Sequence, residues 1–234
     1  MSGAAGLKRA VVFDFGAVLF QWKPVQLLRQ SVPELAGDDA SARALAAKIF
    51  ESFTPESDWA RFDTGKLDED ALAKLIAQRI GASETQVRRV IDAIPPHLVA
   101  QAPMVALFRQ LKAVGHSMYF LSNMPLKYAT RLERENPFIA EFEDGIFSGR
   151  VGLMKPQAAI FELARQRFGI EPARTVFIDD HAGNVAAAQA LGWQGIRFED
   201  AAQCTQALQA GGWIGSALPG HDTTLGGRAS PASP

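Results

Sequence analysis

The stretch AVVFDFGAVL, residues 10–19, sets the expected fold, because four apolar residues run directly into Asp14. A short apolar run without alternation fits a strand that is buried on both faces, as in a parallel sheet. The same pattern recurs in MYFLSN at residues 118–123 and in TVFIDD at residues 175–180. We therefore predict three buried strands, each of which ends in a polar cluster.

Helical patterns separate these strands. Apolar residues at helical spacing cover residues 103–114, 156–168 and 184–191, and a glycine follows each of the three segments. A glycine in that position is typical of the end of a helix. Two further short strands fit residues 146–147 and 195–198. Because strands alternate with helices, we predict right-handed βαβ units and an α/β fold with a doubly wound, Rossmann-like parallel sheet.

The segment after the first strand has a different character. Residues 34–53, 67–80 and 84–94 are helical in period, and nothing between residues 22 and 100 resembles a buried strand. This pattern predicts a small all-helical domain that is inserted into the chain and ends at Pro95-Pro96.

The predicted domain organisation follows from these patterns. Residues 1–21 and 101–210 form the α/β core, and residues 22–100 form the helical insert. From residue 211 to residue 234, glycine, proline, serine and threonine dominate, which is typical of a disordered tail.

Composition and charge exclude several classes of protein. Hydrophobic residues make up 47% of the chain, which is enough to bury a sizeable core. Lysine and arginine number 24 against 25 aspartates and glutamates, so no broad attraction to a nucleic acid is expected. No apolar run approaches the roughly 18 residues that a membrane span needs, and the N-terminus lacks the order of a secretion signal. We expect a cytoplasmic protein without a membrane partner.

The polar clusters that follow the strands predict a common site, because ligands of open α/β sheets bind beyond the carboxyl ends of the strands. These clusters are Asp14, the pair Ser122 and Asn123, and the pair Asp179 and Asp180. Carboxylates supply the oxygen ligands that Mg²⁺ prefers. A serine hydroxyl, backbone amides and a lysine suit a phosphoryl group. The sequence therefore predicts a magnesium-dependent phosphoryl site, to which Lys155 can also point.

Four motifs strengthen this prediction because they occur in a familiar order. They are VFDFGAVL at residues 12–19, LSN at residues 121–123, KP at residues 155–156 and FIDDHAGN at residues 177–184. Over about residues 8 to 210, the chain resembles the haloacid dehalogenase superfamily. It is most similar to phosphatase-like members with a helical cap after the first strand.

The resemblance implies a nucleophile and a metal site. Asp14 would be the nucleophile, which forms an aspartyl phosphate, and also a ligand of Mg²⁺. The backbone carbonyl of Gly16 and the carboxylate of Asp180 would complete the protein ligands.

The resemblance also implies a phosphate site. Ser122 and the backbone amide of Asn123 would hold the phosphoryl oxygens, and Lys155 would neutralise charge. Asp179 and Asn184 would orient Lys155.

Gly16 is a departure from many phosphatases of the family, which have a second aspartate two residues after the nucleophile. That aspartate acts as general acid and then as general base, a contribution typically worth about 10²–10⁴-fold in rate. Some members described as sugar-phosphate phosphatases are similar in having glycine there. Our hypothesis is that His181 or a side chain of the cap takes over this role.

The expected function is therefore hydrolysis of a small phosphorylated metabolite, with a sugar phosphate favoured, by a monomer or homodimer that requires Mg²⁺. Two alternatives stay open. The first is a metal-free 2-haloacid dehalogenase, although its fourth motif differs and an aromatic residue usually stands where this chain has Gly16. The second is a catalytically impaired member that keeps the fold and the ion. The side chains of Trp59, Arg61 and Phe62 either face the crevice or pack between helices of the cap.

Overall fold

The centre of the molecule is a parallel sheet of five strands. The computed structural model describes residues 8–51, 54 and 56–215. Within them the strands are β1 (Ala10–Phe13), β2 (Ser117–Ser122), β3 (Asp144–Phe147), β4 (Thr175–Asp179) and β5 (Gln194–Arg197). They lie in the order β3-β2-β1-β4-β5, and every neighbouring pair is parallel. The predicted doubly wound α/β fold is confirmed.

The helices surround this sheet and form the insert. They are α1 (Pro24–Ser31), α2 (Asp39–Phe50), α3 (Asp58–Asp63), α4 (Glu69–Ile80), α5 (Glu84–His97), α6 (Ala102–Ala113), α7 (Leu126–Glu135), α8 (Ser148–Val151), α9 (Ala158–Phe168), α10 (Ala182–Ala190) and α11 (Ala201–Ala210). No helix in the described part of the chain is long and apolar enough to cross a membrane.

Alternate residues of β1 bury their side chains in two separate layers. Val11 and Phe13 belong to the larger apolar core, which continues into the insert, whereas Ala10 and Val12 belong to a smaller core that contains Phe161 of α9. Successive side chains of a strand point to opposite faces, so a central strand covered on both faces must be apolar throughout. This requirement explains the unbroken apolar run before Asp14.

The strand register places the polar clusters at one edge of the sheet. Phe13, the last residue of β1, pairs with Phe120 of β2 and with Ile178 of β4. The backbone N–H of Asp14 then donates to the carbonyl oxygen of Ile178 at 2.9 Å, which extends the ladder by one residue. Consequently the residue after β1 lies between the carboxyl ends of β2 and β4.

The two connections between the sheet and the insert run side by side. Phe20 and Ala100 form an antiparallel bridge, and the N–H of Gln21 donates to the carbonyl oxygen of Val99 at 2.8 Å. Because the chain leaves the sheet and returns to it at one place, we propose that the boundaries between the core and the insert lie at residues 21–22 and 100–101. The insert then includes α1–α5.

Several boundaries differ from the sequence-based expectation. In the insert, α1 and α3 were not anticipated, and Pro95-Pro96 lie in the last turn of α5 instead of after it. Both prolines lie within two residues of the helix end, where the loss of their N–H groups interrupts only the final turn.

The described residues extend beyond the predicted start of the tail at Gly211. Trp213 and Ile214 are buried, and the guanidinium of Arg9 lies 3.7 Å from the centre of the Trp213 ring. Residues 216–234 of the predicted tail lie outside the described residues, as do residues 1–7, where the sequence predicts no secretion signal.

Candidate active site

A cleft between the carboxyl edge of the sheet and the helical insert contains most of the predicted site residues. The polar lining that comes from the core consists of Asp14, Gly16, Asn123, Lys155, Asp180, His181 and Asn184. Ser122 and Asp179 are almost completely buried at the ends of β2 and β4, behind this surface. The structure therefore brings the four motifs together at one edge.

Lys155 is the central charge of the site. Its Nζ lies 2.9 Å from Oδ1 of Asp14 and 2.6 Å from Oδ2 of Asp179. Burial lowers the pKa of the Lys155 ammonium, but the carboxylates of Asp14 and Asp179 outweigh burial and hold that pKa above its usual value. Lys155 is therefore a permanent cation between two acidic groups.

The side chain of Asn123 fixes the backbone of Lys155. Its Oδ1 accepts a hydrogen bond from the Lys155 N–H at 2.9 Å, and its Nδ2 donates to the Lys155 carbonyl oxygen at 3.0 Å. From the sequence, only the backbone amide of Asn123 was expected to contribute, as a phosphate ligand. The paired contact links the end of β2 to the loop before α9.

Asp179 is surrounded by hydrogen-bond donors. Its Oδ1 accepts from the backbone N–H of His181 at 2.8 Å and from Nδ2 of Asn184 at 3.0 Å. Its Oδ2 accepts from Lys155. Asn184 and Lys155 are therefore linked through Asp179, and the two acceptor oxygens of Asp179 are already in use.

Three carboxyl groups lie close enough to share a cation. One oxygen each of Asp14, Asp179 and Asp180 lies within 4.8 Å of the other two. Burial raises the pKa of Asp14, and Lys155 opposes this effect; burial, followed by the charge of Asp179, also raises the pKa of Asp180. Three acidic groups around one lysine leave excess negative charge, which a divalent cation relieves. Asp14 and Asp180 have the oxygens that remain available to such an ion.

The loop after Asp14 is held in an unusual backbone conformation. Ala17 adopts a left-handed φ of 60°, a region that residues with a side chain rarely occupy. The Nε2 of Gln101 donates to the carbonyl oxygens of Ala17 at 2.7 Å and of Val18 at 2.8 Å. Gln101, which the sequence did not single out, thus supports the turn that carries Gly16.

An additional acidic group reaches the cleft from the insert. Asp63, at the end of α3, is 3% exposed and lines the same cleft as Asp14. Burial, followed by the charge of Asp14, raises the pKa of Asp63 to about 8. Helical periodicity did not identify this residue, because α3 contains only 6 residues and an acidic residue in so short a segment looks like a surface group.

The rest of the cleft lining is apolar. It consists of the side chains of Trp22, Trp59, Ile94, Leu98, Met124, Pro125, Tyr128 and Pro156. The hydroxyl of Tyr128 donates to the carbonyl oxygen of Ile91 at 3.0 Å, so that polar group is already satisfied. Of the three aromatic and basic residues that were candidates to face the crevice, Trp59 lines it, whereas Arg61 and Phe62 do not.

Known proteins resemble this chain in sequence. The model of the haloacid dehalogenase-like hydrolases matches residues 8–192. A sesquiterpene phosphatase, astK of Aspergillus oryzae, is 30% identical over 203 residues, which cover 86% of this chain and 95% of that protein. A drimenol cyclase, drtB of Aspergillus calidoustus, is 23% identical over 193 residues, which cover 81% of this chain but only 34% of that protein.

Solved structures share the fold. A HAD family enzyme from Bacteroides thetaiotaomicron, in complex with magnesium and inorganic phosphate, superposes with a TM-score of 0.59 at 22% identity and covers 82% of this chain and 96% of that chain. L-2-haloacid dehalogenase from Xanthobacter autotrophicus gives a TM-score of 0.60 at 17% identity, with coverage of 88% of this chain and 84% of that chain. At these identities the similarity shows the fold alone.

The Lys155→Met substitution tests the charge network. It leaves Asp14 and Asp179 buried without their cation, so we expect a loss of about 3–5 kcal/mol in the free energy of unfolding at pH 7. The raised pKa of Asp14 means that the folded variant binds more protons than the unfolded chain, so its stability should rise as the pH falls. Urea unfolding at several pH values measures both effects.

Lys127→Met is the matched control, because Lys127 is an exposed lysine whose ion pair with Glu69 lies at the surface. Its unfolding midpoint should match that of the unmodified protein. Equal stability of the two lysine variants would contradict the central role of Lys155.

Proposed function

Because the chain belongs to the haloacid dehalogenase-like hydrolases, we propose that it is a Mg²⁺-dependent phosphatase that forms an aspartyl phosphate on Asp14. The observation that supports this most strongly is the position of the Asp14 carboxylate. It lies at the carboxyl edge of the sheet, beside the cation of Lys155 and near the carboxyl group of Asp180. A nucleophilic carboxylate needs such neighbours, because it must approach an anionic phosphate.

The proposed metal site uses residues of the first and fourth motifs. Asp14, Asp180 and the carbonyl oxygen of Gly16 would hold Mg²⁺, and all three residues line the cleft. When bound, the ion would neutralise part of the charge on the phosphate and the carboxylates. Asp179 is a weaker candidate as a ligand, since its oxygens already accept hydrogen bonds.

The proposed reaction has two steps. In the first, an oxygen of Asp14 attacks phosphorus in line with the bond that breaks, and the alcohol leaves. In the second, water attacks the phosphorus of the aspartyl phosphate, which releases inorganic phosphate and restores Asp14. Throughout both steps, Lys155, the hydroxyl of Ser122 and the amide of Asn123 hold the phosphoryl oxygens and offset their charge.

The lining of the cleft bears on the substrate class. Beyond the acidic edge, the lining is aromatic and aliphatic, and such a surface gains free energy by covering hydrocarbon. A sugar would place several hydroxyl groups against side chains that offer few hydrogen bonds in return, at a cost in free energy. A relative is named a sesquiterpene phosphatase, which is in keeping with an apolar tail. We therefore propose a phosphate ester with a hydrocarbon tail in place of the sugar phosphate favoured from the sequence.

The metal-free dehalogenase and the catalytically impaired member are kept as alternatives, which the experiments below distinguish. The cytoplasmic location and the monomeric or homodimeric state stay predictions from the sequence.

Release of inorganic phosphate in the presence and absence of EDTA tests the reaction class. We expect hydrolysis of alkyl phosphates that stops when EDTA is added and returns with excess Mg²⁺. Asp14→Asn should abolish turnover and keep the fold, as judged by circular dichroism, because the amide is a poor nucleophile. Halide release from 2-chloropropionate without metal would favour the dehalogenase, and a folded protein inactive on all these substrates would favour the impaired member.

A series of n-alkyl phosphates of increasing length tests the substrate class. Burial of a methylene contributes about 0.8 kcal/mol, so kcat/KM should rise about fourfold with each added carbon until the cleft is filled. Trp59→Ala should reduce this dependence on length. Val114→Ala should not, because Val114 is exposed and does not line the cleft. A sugar phosphate that is hydrolysed faster than every alkyl phosphate would contradict the proposed substrate class.

A further inference from the structure

We propose that Asp63, on the helical insert, is the general acid of the first step and the general base of the second. This inference rests on the proposed phosphatase function and adds a catalytic residue to it. Asp63 would supply the general acid and base that is absent two residues after Asp14, where this chain has Gly16. The insert would then contribute a catalytic residue as well as cover the active site.

The reaction needs a proton donor that the position two residues after the nucleophile does not supply. When the bond between phosphorus and an alkyl oxygen breaks, the departing alkoxide is a strong base and must be protonated. Gly16, two residues after Asp14, has no titratable group, although a Cβ at this position would meet no atom within 4 Å. Space is therefore available near the nucleophile for a group that another residue of the cleft contributes.

Asp63 lies on the wall of the cleft that the insert forms. An in-line displacement directs the leaving oxygen away from Asp14, and therefore away from the sheet edge and into the cleft. Asp63 ends α3 and lines this cleft from the insert. The nucleophile and the proposed acid thus belong to different walls of the same cleft.

A buried serine fixes Asp63 relative to the core. The hydroxyl of Ser148, at the start of α8, donates to the backbone carbonyl oxygen of Asp63 at 2.7 Å. The same hydroxyl oxygen accepts a hydrogen bond from the backbone N–H of Met124 at 2.8 Å. Met124 directly follows Ser122 and Asn123, so one side chain ties the position of Asp63 to the predicted phosphate loop.

The surrounding helix adds rigidity. The hydroxyl of Ser57 caps α3 by accepting from the N–H of Ala60 at 3.1 Å. The ring of Phe62 packs edge-on against that of Tyr128, with centroids 5.7 Å apart. A catalytic side chain needs support of this kind, because small displacements reduce rates strongly.

The carboxyl group of Asp63 has no hydrogen-bond or ion-pair partner among the described residues, although the residue is only 3% exposed. No fully buried side-chain oxygen in the described part of the chain lacks a partner, so the unpaired carboxyl group must reach the cleft that Asp63 lines. A buried carboxyl without a cation favours its protonated form, in keeping with its raised pKa. Asp58, at the other end of α3, differs because it pairs with Arg79 and Arg61.

The two proton transfers balance. In the first step the proton of the Asp63 carboxyl moves to the alkyl oxygen as its bond to phosphorus breaks, so the product is a neutral alcohol and Asp63 becomes a carboxylate. In the second step this carboxylate takes a proton from the water that attacks phosphorus. The bond between phosphorus and Asp14 then breaks, phosphate leaves, and Asp63 is protonated again.

The effect of Asp63→Asn on two substrates with different leaving groups tests this role. With an alkyl phosphate, kcat should fall by about 10²–10⁴-fold, because the alkoxide leaves without a proton. With p-nitrophenyl phosphate the leaving group is stable as an anion, so the first step should keep its rate. Since the second step also loses its base, stopped-flow absorbance should show a rapid burst of one nitrophenolate per site followed by slow turnover.

Two matched variants complete the experiment. Asp58→Asn changes an aspartate of the same helix that does not line the cleft, and it should leave both substrates unaffected. His181→Asn changes the other candidate donor, an exposed residue on the core wall. If His181→Asn alone shows the dependence on the leaving group, the assignment to Asp63 is wrong.

Other outcomes are equally decisive. Equal slowing of the nitrophenolate burst and of alkyl phosphate turnover in Asp63→Asn would indicate a structural role and overturn the proposal, as would unchanged activity on both substrates. If Asp63→Asn does not fold, Asp63→Ser undergoes the same comparison. Absence of phosphatase activity in the unmodified protein would refute the proposed function itself, a result distinct from a failure of Asp63 alone.

Discussion

The contact of one buried lysine with two buried carboxylates, Asp14 and Asp179, is the interaction on which the site depends. Removal of these charges from water is costly, and their mutual attraction offsets the cost only when the geometry is well fixed. The parallel register supplies that geometry, because it places Asp14 beside the end of β4. A stable apolar core does not need such a group of charges, so its presence at the carboxyl edge is best explained by chemistry.

The cleft joins two parts of the chain with different tasks. The sheet edge contributes the acidic groups and Lys155, which the side chain of Asn123 holds through the backbone. The insert contributes apolar surface and Asp63, whose backbone is tied to the core through Ser148. Under the proposals above, the core binds the phosphate, the insert transfers the proton, and both walls of the cleft contact the tail. A change in the insert can therefore alter specificity and leave the nucleophile in place.

The sequence predicted the features that local patterns encode. Unbroken apolar runs identified the buried strands, and the polar residues after them identified Asp14 and its neighbours, since parallel strands end at a common edge. Features that depend on distant contacts were missed. The backbone of Asp63 is held by Ser148, 85 positions away, and the ring of Trp213 is covered by Arg9. The helix α3 has too few residues for its period to be recognised.

Chemical trapping of the intermediate tests the central claim most directly. Borohydride reduces an acyl phosphate to an alcohol, so enzyme quenched with borohydride during turnover of an alkyl phosphate should contain homoserine in place of Asp14. Peptide mass spectrometry locates the change. We expect it at Asp14 alone and only with substrate and Mg²⁺. With p-nitrophenyl phosphate as substrate, the extent of reduction should be greater in Asp63→Asn. An unmodified Asp14 during active turnover, or reduction at another acidic residue, would contradict the account.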